Sequence, residues 1–269
     1  MPDTTPPHAE TTEAPPLEDG WRPDLTALRA RLDELDDNIH DLLMQRARVV
    51  ESVARSGKPA AFRPGREAAI LRRLLARHSG KLPALTLVRM WRELLAGTTA
   101  MQTAVTIAVF DPTPECSMAA LAHEHFGFLT PAIAHPSVAA ALDALRAGSA
   151  SVAVLPFPTA DAAWWPALTA SQPRLHIIAR LPFWADRPPH VPQADALVVG
   201  TAAPDASGND RCFIAAPDRT RLADAGLNVY ATHGLVVEVE SMLAEDDPRL
   251  PAAAIVLGGY AVPVAGEPT

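Results

Sequence analysis

Cysteine is scarce. The two in 269 residues, Cys116 and Cys212, lie far apart, which excludes a disulfide framework and puts neither thiol in a metal or redox spacing. Both read as small buried or half-buried thiols. Long apolar stretches are missing too: no run of about 18 apolar residues occurs, so no membrane-spanning helix is expected. Positive charge falls short, with 23 Lys plus Arg against 31 Asp plus Glu and a net charge of −8. That balance argues against general binding of nucleic acid or an anionic membrane, both of which need a basic surface. Any anion site then rests on a few placed arginines. No glycine-rich phosphate loop is present. Residues 1–20 hold neither Lys nor Arg nor an apolar run, so they read as a disordered acidic tail on a cytoplasmic protein.

What remains can bury a core, with 48% hydrophobic and 20% charged residues, the balance of a folded chain. From Trp21 to about Thr103 apolar residues recur at helical spacing and arginine is frequent. From Ala104 onward short β-branched runs alternate with alanine-rich stretches and Pro/Gly breaks, which suggests α/β or α+β structure. Pro23 suits the first turn of a long helix running to about Arg55. Leu25, Leu28, Leu32, Leu35, Ile39, Leu42, Val49 and Val53 follow alternating spacings of three and four, with Arg46 in the one gap. This is a coiled-coil seam about 45 Å long. Pro64 opens a second helix ending near Gly80, and Pro83 opens a third with Val88, Trp91, Leu95, Thr98 and Gln102 on one stripe. Two shorter helices do not cover so long a seam. Pairing with the same surface of a second copy, a homodimer, is therefore expected.

Polar residues interrupt these stripes. Arg46 occupies a seam position and Arg29 flanks the seam; Glu67 lies one turn before Ile70 and Leu71; Thr98 and Gln102 prolong the third stripe. Burying such groups without partners is costly. They either fix register, as polar residues do in coiled-coil seams, or share a ligand. A small, polar, doubly anionic ligand satisfies two arginines, a carboxylate, a hydroxyl and an amide together, because the guanidinium fork binds carboxylates bidentately and stays charged when desolvated.

The strings Leu25-Thr-Ala-Leu-Arg29, Leu35-Asp36, Leu42-Leu43-Met44-Gln45-Arg46, Arg63-Pro64-Gly65-Arg66-Glu67 and Trp91-Arg92-Glu93-Leu94-Leu95, continuing through Thr98 and Gln102, resemble the all-helical (type II) chorismate mutases over residues 21–103. The resemblance implies an intertwined dimer of three-helix domains acting on chorismate. It implies that Arg46 and Arg29 from a second subunit grip the two substrate carboxylates. Glu67 would accept a hydrogen bond from the ring hydroxyl, Gln102 would donate to the ether oxygen, and Thr98 stands where the family usually has serine. The family's lysine after the first helix falls at Gly57 in strict register, and Lys58 is the candidate to replace it. Arg63 stands where an aspartate is common, either a cation at the mouth of the site or a solvated charge. The implied Claisen rearrangement of chorismate to prephenate needs no metal, cofactor or nucleophile. It needs the compact conformer held and charge on the breaking ether oxygen stabilised.

In the second half, Thr106–Phe110 and Ser151–Pro156 read as strands, with helices reaching Phe126 and running from Ser137 to Arg146. This region resembles a shortened first lobe of prephenate dehydratases. Their Thr-Arg-Phe triplet after an Asn has its nearest match in Asn209-Asp210-Arg211-Cys212-Phe213, which keeps the arginine and loses the hydroxyl; dehydratase activity is therefore expected to be lost. Leu222–Tyr260, with Gly226-Leu-Asn-Val229 and Val256-Leu-Gly-Gly-Tyr260, is similar to a phenylalanine-sensing ACT domain without its Gly-Ala-Leu and Glu-Ser-Arg motifs, and reads as a degenerate regulatory or scaffolding remnant. The expected fold is multidomain, α and α/β: a tail (1–20), a helical domain (21–103), a truncated α/β region (104–208) and an ACT-like α+β region (209–269).

Other features carry less. His123-Glu124-His125 places two histidines where they diverge on a helix, so no metal site is expected. Trp164-Trp165 and Phe183-Trp184 read as loop packing rather than base stacking. Two alternatives to the mutase stay open. One is a lyase acting on isochorismate, from the same helical family. The other is a binding or regulatory protein that has lost catalysis, for which the displaced lysine speaks.

Overall fold

The computed structural model describes residues 24–56, 62–113, 118–170, 172–189, 191, 193–218 and 220–265. The acidic tail, Pro23, Gly57, Lys58 and Cys116 lie outside the described residues. The chain divides into two units, residues 1–50 and 51–269. No helix among the described residues is long and apolar enough to cross a membrane.

The described part of the first unit is helix α1 (Leu25–Arg55), whose last turn passes the boundary. Asp24 caps it, its Oδ1 accepting from the Thr26 N–H at 3.0 Å, which satisfies one of the donors a helix start leaves over. The seam expected from the sequence is present along one stripe, yet none of the 31 residues of α1 is buried. Leu32 is 59% and Leu42 63% exposed, values that leave the whole stripe for some other surface to cover.

In the second unit, α2 (Pro64–Leu75) and α3 (Ala84–Ala100) precede a sheet whose elements alternate: β1 (Ile107–Phe110), α4 (Met118–Phe126), β2 (Ala132–His135), α5 (Val138–Arg146), β3 (Val152–Leu155), α6 (Pro166–Thr169), β4 (His176–Leu181) and β5 (Ala196–Gly200). They continue as β6 (Asp210–Ala215), α7 (Thr220–Asp224), β7 (Val229–His233), β8 (Val236–Val239) and β9 (Ile255–Ala261). The nine strands form one mixed sheet in the order β2-β1-β3-β5-β4-β9-β6-β8-β7. β1 is parallel to both β2 and β3. The period-two alternation of β1 explains that corner: Ile107 and Val109 pack with Leu121 and Phe126 of α4, while Ala108 packs with Leu142 and Leu145 of α5. Ser137 caps α5 by accepting from the Ala140 N–H at 3.1 Å.

Two features were not visible in the sequence. The boundary expected between residues 208 and 209 falls between β5 and β6, and the sheet runs through it. β9 inserts between β4 and β6, with Ile177 opposite Gly258. Gly258 has φ +128°, and a Cβ there would stand 2.1 Å from the Ile177 carbonyl oxygen, so only glycine fits. Second, α2 and α3 share their core with strand ends. Ala68, Leu71 and Val88 pack with Phe183, Trp184 and Ala261. Arg72 donates to Ser207 Oγ and the Val262 carbonyl, both at 2.6 Å, and to the Asn209 carbonyl at 2.9 Å.

Candidate active site

Glu67 sits in the first turn of α2, which Pro64 opens at a position where its missing N–H is no loss. The cap comes from a distant loop: Asp205 accepts from the Gly65 N–H at 2.9 Å and the Arg66 N–H at 3.1 Å. A Cβ on Gly65 would stand 2.1 Å from the Asp205 carbonyl oxygen, so the close approach requires glycine. This anchoring turns Glu67 inward, where it is buried and lines a cavity of about 380 Å³ together with Phe62, Ala96, Thr99, His125 and Leu129. Arg92 of α3, itself buried, donates from Nη1 to Glu67 Oε2 at 2.9 Å. Its guanidinium lies 4.8 Å from the Phe183 ring centroid, a cation–π contact in a dry setting.

Burial raises the Glu67 carboxyl from 4.5 to about 7; Arg92 opposes that rise and Asp205 adds to it. Burial also lowers the Arg92 pKa, against the attraction of Glu67 and Glu124. His125 of α4 has Nε2 3.5 Å from Arg92 Nη1. Burial and then Arg92 push its pKa well below 6.5, so the imidazole is neutral near pH 7. Because Arg92 is only a donor, Nε2 must accept and Nδ1 carries the hydrogen. A carboxyl that titrates near neutrality in a cavity wall can accept a hydrogen bond or hold a proton there.

Arg63, Thr98 and Gln102, also singled out in the sequence, do not line this cavity. Thr98 is buried, and its Oγ1 donates back to the Leu94 and Leu95 carbonyls at 2.9 and 3.1 Å. Gln102 is exposed, and its Nε2 donates to the Thr98 carbonyl at 3.1 Å. Arg63 is exposed and approaches Asp205 Oδ2 at 3.3 Å. On α1, Arg29 is exposed and Arg46 half-buried, and burial lowers the Arg46 pKa. Lys58 lies outside the described residues. Arg92 and His125 are the buried polar groups beside Glu67 that sequence reasoning missed. Arg92 carried a signal, since it falls on the buried stripe Val88, Arg92, Leu95, Thr99 of α3, where Trp91 had been expected. His125 had the weaker signal of closing the buried stripe of α4 after Leu121 and Ala122.

Away from this cavity, Glu124 binds Arg187 bidentately at 2.8 and 2.7 Å. Cys212 is buried, with its thiol pushed up to about 12 by burial. Among the described residues no cluster of His, Cys, Asp and Glu is arranged to hold a metal.

A bifunctional chorismate mutase/prephenate dehydratase from Stutzerimonas stutzeri is 36% identical over 111 residues, which are 38% of this chain and 30% of that protein. Its counterpart from Pseudomonas aeruginosa is 32% identical over 111 residues, again 38% of this chain and 30% of that protein. The chain thus spans under a third of the length of these curated relatives. A prephenate dehydratase from Arthrobacter aurescens, solved with L-Phe, superposes with a TM-score of 0.40 at 16% identity, covering 58% of this chain and 90% of that one. Residues 28–103, which hold α2, α3 and nearly all of α1, match the family model for chorismate mutase type II.

Proposed function

We propose that this protein is a chorismate mutase that rearranges chorismate to prephenate as a cytoplasmic homodimer. The observation that carries the reading is the match of residues 28–103 to the chorismate mutase type II model. The names of the bifunctional relatives point the same way. The reaction is unimolecular, so the protein's task is to hold the compact conformer and to stabilise charge on the departing ether oxygen. In this reading Glu67 accepts from the ring hydroxyl, Gln102 and Lys58 donate to the ether oxygen, and Thr98 and Arg63 assist at the carboxylates.

Charge and length support the dimer. Glu67 engages the buried Arg92, so the cations for two substrate carboxylates must come from elsewhere, and Arg29 and Arg46 on α1 are the candidates. They stand seventeen positions apart, about 25 Å along one helix at 1.5 Å per residue. One small dicarboxylate cannot bridge that span, whereas Arg29 of a second subunit on an antiparallel α1 can meet Arg46. The uncovered stripe of α1 gives the two copies a surface to share.

We also infer that prephenate dehydratase activity, named for the relatives, is missing. Residues 209–213 offer no hydroxyl, Asp210 is engaged by the N–H groups of Ser207 and Gly208, and the Cys212 thiol donates to the Gly258 carbonyl at 3.0 Å. The test is prephenate formation from chorismate by the full chain. Arg46→Ala and Gln102→Ala are each expected to lower kcat/KM at least about 100-fold, and no phenylpyruvate should form from prephenate. Absent turnover, or turnover that neither substitution changes, refutes the assignment; pyruvate release from isochorismate would replace it with the lyase.

A further inference from the structure

One face of α3 is built small. Ala96, Gly97 and Ala100 follow Glu93 at helical spacing, and a Cβ placed on Gly97 meets nothing within 4 Å. This face walls the cavity of about 380 Å³ that Glu67 reaches, and Phe62, Val105, Phe126 and Leu129 supply more of its apolar surface. Leu129 is 89% exposed, so it stands at the mouth. Gly127 seats that mouth against α3: its φ is +87°, and a Cβ there would lie 2.6 Å from the Ala96 Cβ, so glycine is required. A cavity of this size forfeits contacts along every wall. A chain that needed only packing here would carry larger side chains than alanine and glycine.

The polar groups on these walls are acceptors. Glu67 is 8% exposed; Arg92 takes its Oε2, and no described donor takes Oε1, which is left to the cavity. Glu93 lines the cavity as well, its two oxygens sharing the Phe128 N–H at 3.1 and 3.3 Å. Thr130 lies on the same wall, and its hydroxyl donates to the Phe126 carbonyl at 2.5 Å, so toward a ligand it accepts. Among the described residues no Arg or Lys lines the cavity, and His125 beside Glu67 is neutral near pH 7. With Glu67 ionised, two carboxylates face the one guanidinium of Arg92, a surplus of one negative charge that a single ammonium balances. We propose that this cavity binds a small primary ammonium with a compact hydrocarbon body, its N–H groups on Glu67 and its body against Phe62, Phe126 and Leu129. A carboxylate finds no cationic partner on these walls, so the site lies beyond the chorismate reading and shares only Glu67 with it.

The test takes the full chain at about pH 8, above the Glu67 titration. Benzylamine is the probe, benzyl alcohol its uncharged isostere and benzoate the anion; calorimetry gives affinities and methyl NMR of Thr99, Val105 and Leu129 gives the place. Benzylamine is expected to bind in the millimolar range or tighter and to shift those methyls. Benzyl alcohol should bind at least about tenfold more weakly, and benzoate at about 10 mM should leave the methyls unmoved. Gly97→Leu adds a side chain where the space is open and favours the helix, so it should keep the fold and abolish benzylamine binding at about 10 mM. Glu67→Gln should weaken benzylamine at least about tenfold and leave benzyl alcohol within about twofold. If Gly97→Leu does not fold, Ala100→Leu and the shift map of the unaltered chain decide. No benzylamine binding at about 10 mM, equal affinity for benzyl alcohol, equal methyl shifts with benzoate, shifts located away from these methyls, or binding that survives Gly97→Leu each overturns the proposal. No turnover is read, so a failed mutase assignment leaves this result standing, and the reverse holds too.

Discussion

Replacing Glu67 with glutamine keeps the side chain's shape and an acceptor for Arg92 Nη1, but removes the group that takes up a proton. Burial lifts this carboxyl from 4.5 to about 7 in the folded chain despite the pull of Arg92. Between those values the folded state holds a proton that the unfolded state has lost, so folding stability declines as pH rises through the window and is greatest below it. At about 1.4 kcal/mol per tenfold change in proton affinity, the full decline is about 3 kcal/mol. His125 acts in the opposite sense. Its folded pKa lies well below 6.5, so the unfolded chain gains a proton first and stability falls as pH drops below about 6.5. The two slopes overlap and hide each other in the unaltered protein. The causes of the His125 shift, burial and Arg92, survive in Glu67→Gln, so subtracting the two stability curves isolates Glu67. Urea unfolding at intervals from pH 4.5 to 8 measures it. The difference, unaltered chain minus variant, should fall by about 3 kcal/mol, almost all of it before pH 7. A flat difference refutes the reasoning. So does one that climbs with pH, which would mean that the attraction of Arg92 outweighs burial.

Four further outcomes follow from the same coordinates. His125→Leu should leave the Glu67 slope unmasked, so that below about pH 6.5 stability rises more steeply with falling pH than in the unaltered chain, read from the same urea series. Asp205→Asn keeps an acceptor for the Gly65 N–H while deleting a charge that raises Glu67, so Glu67 should titrate at lower pH, followed by carboxyl NMR. Gly258→Ala must displace the Ile177 carbonyl and should destabilise by at least about 3 kcal/mol, seen as loss of soluble protein or a melting midpoint many degrees lower. Leu32→Asp combined with Leu35→Asp should halve the mass in sedimentation with helix content unchanged; an unaltered mass would remove the dimer.

The elements legible in the sequence were those whose pattern is local. The three-and-four spacing from Leu25 to Val53 specifies α1, and the alternation through Ile107, Ala108 and Val109 specifies a strand covered on both faces. The place of β9 was not legible, because its pairing with β4 joins Ile177 to Gly258 across roughly 80 residues and no local period encodes a partner. At the site, the burial of Glu67 could be anticipated from its position one turn before Ile70 and Leu71. Its partner could not, since the stripe Val88, Trp91, Leu95 passes over Arg92, which the structure buries. His125 arrives from a different segment altogether, and only tertiary packing brings it within 3.5 Å of Arg92.

The position of β9 bears on how the protein is made. Until Ile255–Ala261 leaves the ribosome, β4 and β6 both present unpaired N–H and C=O rows, two raw edges that no earlier strand of this order fills. Synthesis alone cannot complete the sheet from its start, and the nascent chain must wait with those edges open. Release of the late strand is then the step that closes the sheet, and stalled or C-terminally clipped chains are the ones that should aggregate.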